Sequence, residues 1–232
     1  MQHDSTQKTA ILFFANSAEE ESRHKCIRKG DSLFSLLTRL TIKEIKNVGL
    51  PYFHYSEQHQ VGSSFGDRFA NAIQSIFDKG FENIITVGND TPQLNSSHLN
   101  DALNALAKGK NVLGPSTDGG FYLMGLQRQS FEKAAFRALP WQTHRLYEAT
   151  KDYLGETDKI KQLAFLIDID STADIRILLR KNAKSLSKTL QKLFQSILKR
   201  TESLLKEHTS PVLDDNFYTL PHLTRGSPRF TV

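Results

Sequence analysis

The chain has 232 residues, 38% hydrophobic and 24% charged, with a formal net charge of +5 and a single cysteine, Cys26. That length suits one domain or one domain with an appendage and suffices for a proper core, and the balance of apolar and charged residues excludes a disordered chain. One cysteine excludes an internal disulfide, no apolar run approaches a membrane span, and the opening MQHDSTQKT lacks the apolar segment of a signal peptide, so the expected location is the cytoplasm.

Ala10 to Ala15 (AILFFA) is the predicted first strand. Asn16 and Ser17 suit the cap of a helix whose first turn holds Glu19, Glu20 and Glu21, with Arg23, His24, Lys25, Arg28 and Lys29 following. Ser32 to Lys46 continues as helix, with Leu33, Leu36, Leu37, Leu40, Ile42 and Ile45 apolar, and Gly49 ends it. Leu50 to Ser56 is a second strand, with Pro51 near its start, where a missing donor is tolerated. Gln58 to Asp67 is a polar loop. His54 and His59 have no partner at ligand spacing and read as ordinary histidines. Arg68 to Lys79 is an amphipathic helix that buries Phe69, Ala72, Ile73, Ile76 and Phe77, closed by Gly80. Arg68, in its first turn, can meet a phosphate at the active edge or pair with Asp67 or another carboxylate. This order of strands and helices argues for βαβ units and a largely parallel sheet.

Ile84, Ile85 and Val87 form a buried strand that runs into Gly88-Asn89-Asp90-Thr91-Pro92. Ser96 or Ser97 caps a helix with Leu99, Ala102, Leu103 and Leu106 on its apolar face, and Gly109 closes it. Val112 and Leu113 start a strand that stops at Gly114-Pro115, Asp118-Gly119-Gly120 is a tight turn, and Phe121 to Leu126 is a strand again. Asp90 and Asp118 therefore each follow the C-terminal end of a predicted strand, the edge where open α/β sheets bind ligands. Carboxylates there can hold Mg²⁺ against a phosphate, while Gly88, Gly119 and Gly120 let backbone approach a ligand and adopt positive φ. Both motifs are also good turn sequences; their recurrence at successive strand ends favours a site.

Phe131 to Leu139 is a short helix, and Thr143, His144 and Arg145 begin another that runs to about Leu154. Trp141 can stack on a base or sugar, although a core or lid-anchor role is the more common use of a large aromatic. His144 is a weak candidate for a general base. Lys161 to Asp170 is a strand ending in acid, and Ser171 to Asp174 opens a helix in the manner of a capping box. Ser185 to Lys206 is a basic amphipathic helix with Leu186, Leu190, Leu193, Phe194, Ile197 and Leu204 along one side. Such a stripe packs on the domain or on a second subunit, making a homodimer through this helix one use of it; a membrane-surface helix is the less common one. The tail from His208 to Val232 reads as an extended arm. Aromatics do not interleave with basic clusters, so no nucleic-acid partner is expected.

The run GNDTP, followed about twenty residues on by VLGPSTDGGFYLMGL, resembles the radical-SAM/selenodomain-associated transferase-1 family of the nucleotide-diphospho-sugar transferase (glycosyltransferase-A-like) superfamily. Gln60, Gly62, Phe65, Gly66, Arg68 and Ala72 resemble its Q-x-G-x-x-(L/F)-G-x-R-x-x-x-A element, and Leu139 to Thr143 its apolar-x-Trp-x-Thr element. Asp168 to Asp174 resembles the superfamily's D-x-D-T-x-x-D-L element, in which an aspartate completes a metal site; Asp168 is the favoured ligand and Asp170 the second. Side chains alternate along a strand, so only one of the two faces a given side unless the strand is already turning. The family's first loop ends in Lys-Thr-Arg-Leu, which has no counterpart here; Lys25 is the nearest candidate for its lysine.

The resemblance implies a three-layer α/β fold, a mostly parallel mixed sheet flanked by helices, over residues 10–180, with residues 181–232 as C-terminal helix and arm. It implies a metal-dependent transferase, glycosyl or nucleotidyl, working on a nucleotide or nucleotide-sugar and an unspecified acceptor. Mg²⁺ or Mn²⁺ would be held by Asp90, Asp118, Asp168 and Asp170. Asp90 and Asp118 are the catalytic candidates, and Lys25, Arg68, Gly88, Asn89, Gly119, Gly120 and Trp141 are the substrate-binding ones. The alternative is a nucleotide- or metabolite-binding module that keeps the fold without the chemistry. An aspartyl-nucleophile phosphatase would need its acid on the first strand, where Asn16 stands instead.

Overall fold

The computed structural model describes residues 8–156 and 159–207. The predicted arm from His208 onward lies outside them, as do the side chains from Arg200, including Leu204 of the predicted stripe.

Six strands form one mixed sheet: β1 (Thr9–Phe14), β2 (Tyr52–Tyr55), β3 (Asn83–Val87), β4 (Asn111–Pro115), β5 (Phe121–Gln127) and β6 (Ile160–Gln162), in the order β2-β1-β3-β5-β4-β6. The pairs β1–β2, β1–β3 and β4–β6 are parallel; β5 runs antiparallel to both neighbours, β3 and β4. Five strands thus end at one edge of the sheet, and the single reversed strand begins there.

The two-residue period of β1 divides its side chains between two cores. Ile11 and Phe13 join Ile85, Val87, Val112 and Leu123 beneath α4 (Ser96–Leu106), which contributes Leu99, Ala102 and Leu106. Ala10 and Leu12 join Ile84, Leu113, Met124 and Leu126 on the other face. There they meet α3 (Phe65–Phe77), α5 (Lys133–Arg137) and α6 (Leu146–Leu154). Both faces are covered, which is why the central strands read as continuous apolar runs. A third cluster joins Leu33, Phe34 and Leu37 of α2 (Gly30–Val48) to Ile175 and Leu178 of α7 (Thr172–Asn182). Leu190, Phe194 and Ile197 of α8 (Lys188–Glu207) complete it. Among the described residues of the C-terminal stripe, Leu186, Leu190, Phe194 and Ile197 are buried on their own chain and Leu193 is partly buried.

Several boundaries differ from the sequence reading. The cap of α4 is Asn95, not Ser96 or Ser97; its side chain accepts from the Ser97 and His98 amides. α3 begins at Phe65 because Ser64 and Asp67 form a full capping box ahead of it. α6 starts at Leu146 rather than Thr143, after a loop in which Gln142 takes a φ of +61°.

The largest departure is the strand expected over Lys161 to Asp170. Only Ile160–Gln162 pairs as a strand, followed by an isolated bridge from Leu166 to Ser116. β4, its one neighbour, breaks register at Gly114/Pro115 and ends, leaving no ladder to extend. The segment instead hangs on scattered backbone bonds: Leu163 N to Leu113 O at 2.9 Å, Leu166 N to Pro115 O at 3.1 Å, Thr117 N to Leu166 O at 3.2 Å and Ile169 N to Asp90 O at 2.9 Å.

Candidate active site

A cavity of about 600 Å³ opens at the edge where β1, β3 and β4 end and β5 begins. Five carboxylates (Glu21, Asp90, Asp118, Asp168, Asp170) and two permanent cations (Lys25, Arg68) line it. Asp90, Asp118, Asp168, Asp170, Lys25, Arg68, Gly88, Asn89, Gly120 and Trp141 all lie on its wall, and Gly119 lies behind it in the Asp118 turn.

Asp118 sits in the turn between β4 and β5. One of its oxygens, Oδ1, accepts from the Gly120 amide at 2.9 Å and from the Ser116 hydroxyl, which fixes the carboxylate against its own turn. Of the three glycines expected to use positive φ, Gly119 does, at +93°, and Gly88 and Gly120 do not. A turn this short needs one left-handed residue, and Gly119 supplies it. It also meets α6's leading loop closely: a Cβ there would stand 2.3 Å from the His144 carbonyl oxygen.

Asp168 is brought to the same cavity by the irregular segment after β6. Thr91, just past Asp90, donates its hydroxyl to Asp168 Oδ1. Burial, followed by repulsion from Asp90, pushes the Asp168 carboxyl well above its ordinary value; Asp118 adds to this, and the Thr91 bond opposes it. Asp170, two residues on, lines the cavity as well. The segment is no longer a strand there, so strand alternation does not separate the two acids.

Lys25 leaves the end of α1 (Ala18–His24) and enters the acidic cluster. Its ammonium donates to Asp90 Oδ2 at 2.8 Å and to the Ile169 carbonyl at 3.0 Å, and lies 2.9 Å from Asp170 Oδ1 and 3.8 Å from Glu21 Oε2. Burial alone would lower its pKa, but Asp90, then Asp170, outweigh it, and the group is raised above its ordinary value. The lysine expected to contact a phosphate is engaged with carboxylates.

Glu21, marked by the sequence only as a helix-start acid, faces the same space. Burial raises its carboxyl against the pull of Lys25. Its one advance signal was its place four residues before Lys25. From Glu21 a chain of hydrogen bonds crosses to Arg68: Asn16 Nδ2 donates to Glu21 Oε1 at 3.0 Å, Gln60 Nε2 to Asn16 Oδ1 at 3.3 Å, and Arg68 Nε to Gln60 Oε1 at 3.2 Å. Arg68 does not pair with Asp67, whose carboxylate serves Ser63, Ser64 and Arg137. Among the described residues Arg68 makes no ion pair, and its terminal guanidinium nitrogens are uncommitted.

Two other expected contacts are partly spent. The Asn89 side chain is turned to α2, where its amide donates to Thr38 Oγ1 at 3.0 Å. The Trp141 indole N–H donates to the Phe136 carbonyl at 3.1 Å, and its ring packs among Phe65, Phe69 and Phe136. Trp141 is thus a wall of the cavity anchored in the aromatic core.

Residues 49–143 match the family described as "Uncharacterized protein conserved in bacteria (DUF2064)". That stretch holds Gln60, Arg68, Asp90, Asp118 and Trp141. A candidate nucleotide-diphospho-sugar transferase from Desulfovibrio desulfuricans G20 superposes with a TM-score of 0.69 at 21% identity, over 87% of this chain and 98% of that one. At that identity the likeness establishes the fold: this is an α/β chain of the same architecture. Rv0371C of Mycobacterium tuberculosis H37Rv, in complex with manganese, reaches 0.43 at 12% identity over 75% of this chain and 99% of that one. A cytidylyltransferase from Leptospira borgpetersenii reaches 0.40 at 13% identity over 92% and 100%. Those two scores are too low to carry an argument about this chain. No curated protein matches the sequence. Among the described residues no helix is long and apolar enough to cross a membrane.

The cavity's donor set has the chemistry of a hard-cation site: carboxylate oxygens from several loops, with hydroxyls and carbonyls between them. Its geometry is not closed on a cation. Among the described residues no group of three or more His, Cys, Asp or Glu side chains stands in position to hold a metal ion, and Asp90 and Asp170 are turned onto Lys25.

Proposed function

We propose that the chain is a metal-dependent transferase acting on a nucleotide-linked or phosphorylated substrate. The observation that carries this is the convergence of Asp90, Asp118 and Asp168 from three separate loops on one cavity, with the uncommitted guanidinium of Arg68 on its wall. The resemblance of the GNDTP and GPSTDGGFYLMGL runs to the transferase-1 family supports the same class, and the fold accommodates it.

Asp90, Asp118 and Asp168, with Asp170, would hold Mg²⁺ or Mn²⁺. Such a cation, when bound, supplies neutralisation of charge on diphosphate oxygens. The remaining work falls to the chain's own groups. Arg68, steered by Gln60, offers two terminal nitrogens to a phosphate, and a planar guanidinium suits that contact in two-pronged form. Gly88 leaves the floor open beside Asp90, where an added Cβ would stand 3.3 Å from Asp90 Oδ1. Trp141, Phe65 and Phe121 give the cavity an apolar wall for a base or sugar face. Glycosyl and nucleotidyl transfer share this edge of the fold, so the fold does not choose between them.

A thermal-shift screen of nucleotides and nucleotide-sugars, each with and without Mn²⁺ or Mg²⁺, tests the reading. A ligand at a hundredfold its Kd stabilises the native state by about 2.7 kcal/mol, or roughly 5–10 °C for a chain of this size. A metal-dependent shift with one nucleotide class supports the transferase and names its donor. A shift that needs no metal favours the binding-module alternative, and no shift with any of them removes the nucleotide-dependent transferase.

A further inference from the structure

The position of Lys25 has a consequence for how the cleft would load. The Lys25 ammonium donates to Asp90 Oδ2 at 2.8 Å and to the Ile169 carbonyl at 3.0 Å, and it pairs with Asp170 Oδ1 at 2.9 Å. The spacing is that of N–H···O bonds, whereas oxygens around Mg²⁺ close in to about 2.0–2.1 Å.

Two features separate this arrangement from a chance surface pair. The Lys25 side chain is only 15% exposed. The backbone that carries it is pinned from behind: Ile27 is buried in the cluster of α2, α7 and α8, and Lys29 Nζ donates to Ser196 Oγ at 3.0 Å. With the main chain held there, release of the ammonium would come from rotation about the lysine's own four-carbon stem.

We propose that the Lys25 ammonium is a tethered competitor of the divalent cation: it pairs with Asp90 and Asp170, and the cation gains those oxygens only when Lys25 leaves them. This rests on the reading of the cleft as a divalent-cation site. It follows that cation and phosphate enter together, because a phosphate offers the departing ammonium a new anionic partner. The cleft alone binds the metal weakly; the cleft with a phosphate-bearing ligand binds it well.

The test uses Mn²⁺ alone, titrated into the full-length protein and followed by the loss of the free-ion electron paramagnetic resonance signal. Lys25→Met and Lys25→Gln are each compared with the wild type. The expected result is a gain in Mn²⁺ affinity of roughly tenfold to a hundredfold in both variants, the worth of charge-assisted bonds no longer competing. Equal affinity in all three proteins, lost in Asp90→Asn, overturns the competition and leaves the cation site standing. No Mn²⁺ bound by any of them overturns both readings. Should the variants fail to fold, the wild type suffices. Amine-reactive labelling read by mass spectrometry should find Lys25 protected without metal and labelled at saturating Mn²⁺. Unchanged protection with Mn²⁺ bound overturns the proposal.

Discussion

Replacing Gly119 by alanine perturbs the turn that carries Asp118 and the loop that closes the cavity in a single step. Gly119 has a φ of +93°, and the added Cβ would stand 2.3 Å from the His144 carbonyl oxygen and 2.7 Å from its Cα. An L-residue held in a left-handed conformation costs about 1–2 kcal/mol. The carbonyl of Gly119 accepts from the Tyr147 amide at 2.8 Å, at the start of α6, and pushing the two segments apart forfeits about 1 kcal/mol more. The total is about 2–3 kcal/mol, or roughly 5–10 °C in Tm for a chain of this size. Gly109→Ala is the internal control: its φ is +73°, yet nothing lies within 4 Å of the added Cβ, so only the backbone cost of about 1–2 kcal/mol applies. Thermal melts and urea titrations of both variants separate conformational strain from contact. If Gly119→Ala is no less stable than Gly109→Ala, the close packing of the Asp118 turn on the 140–145 loop is refuted.

Three further outcomes are expected. Arg68→Ala weakens binding of a phosphate-bearing ligand by roughly tenfold to a hundredfold, the loss of a charged hydrogen-bond donor, and calorimetry with that ligand measures it. Asp67, whose carboxyl is held below its ordinary value of 3.8 chiefly by the Ser64 and Ser63 hydroxyls, stabilises the start of α3 above that pH and ceases to do so as pH falls through its lowered value. Asp67→Ala is therefore less stable than wild type at neutral pH, and the gap narrows in acid melts. Phe194→Ala removes a fully buried ring of α8 and costs about 3–5 kcal/mol in denaturant unfolding; an effect under about 1 kcal/mol would show that the helix does not belong to the third core.

The fold was legible because its signals are local. β1 alternates Ala10, Leu12 with Ile11, Phe13, and β3 is apolar on both faces, as a doubly covered sheet requires. The helix ends at Gly49, Gly80 and Gly109 are glycines with positive φ, and each was readable from its sequence. Errors arose where an element's extent depends on a distant partner. The segment from Leu163 to Asp170 has strand composition, but strand needs a ladder, and β4 had already ended at Pro115. Of the site, Asp90 and Asp118 were readable as carboxylates at strand ends. Asp168 and Asp170 joined them only through the resemblance, because strand alternation sets the two acids apart and their reaching one cavity depends on that same loss of strand geometry.

What the sequence determined by itself was the α/β architecture and the edge at which the acids stand, since periodicity, caps and turns act within a few residues. Only the tertiary structure decided what those acids meet. Lys25 lies 65 residues from Asp90 and 144 from Ile169 in the chain, and no spacing rule connects them. It also decided that Gln60 steers Arg68, that Asn89 turns to α2 and that Trp141 is held in the aromatic core. Those outcomes follow from which loops share an edge once the sheet is assembled, and electrostatics then acts across that edge over a few ångströms whatever the separation along the chain.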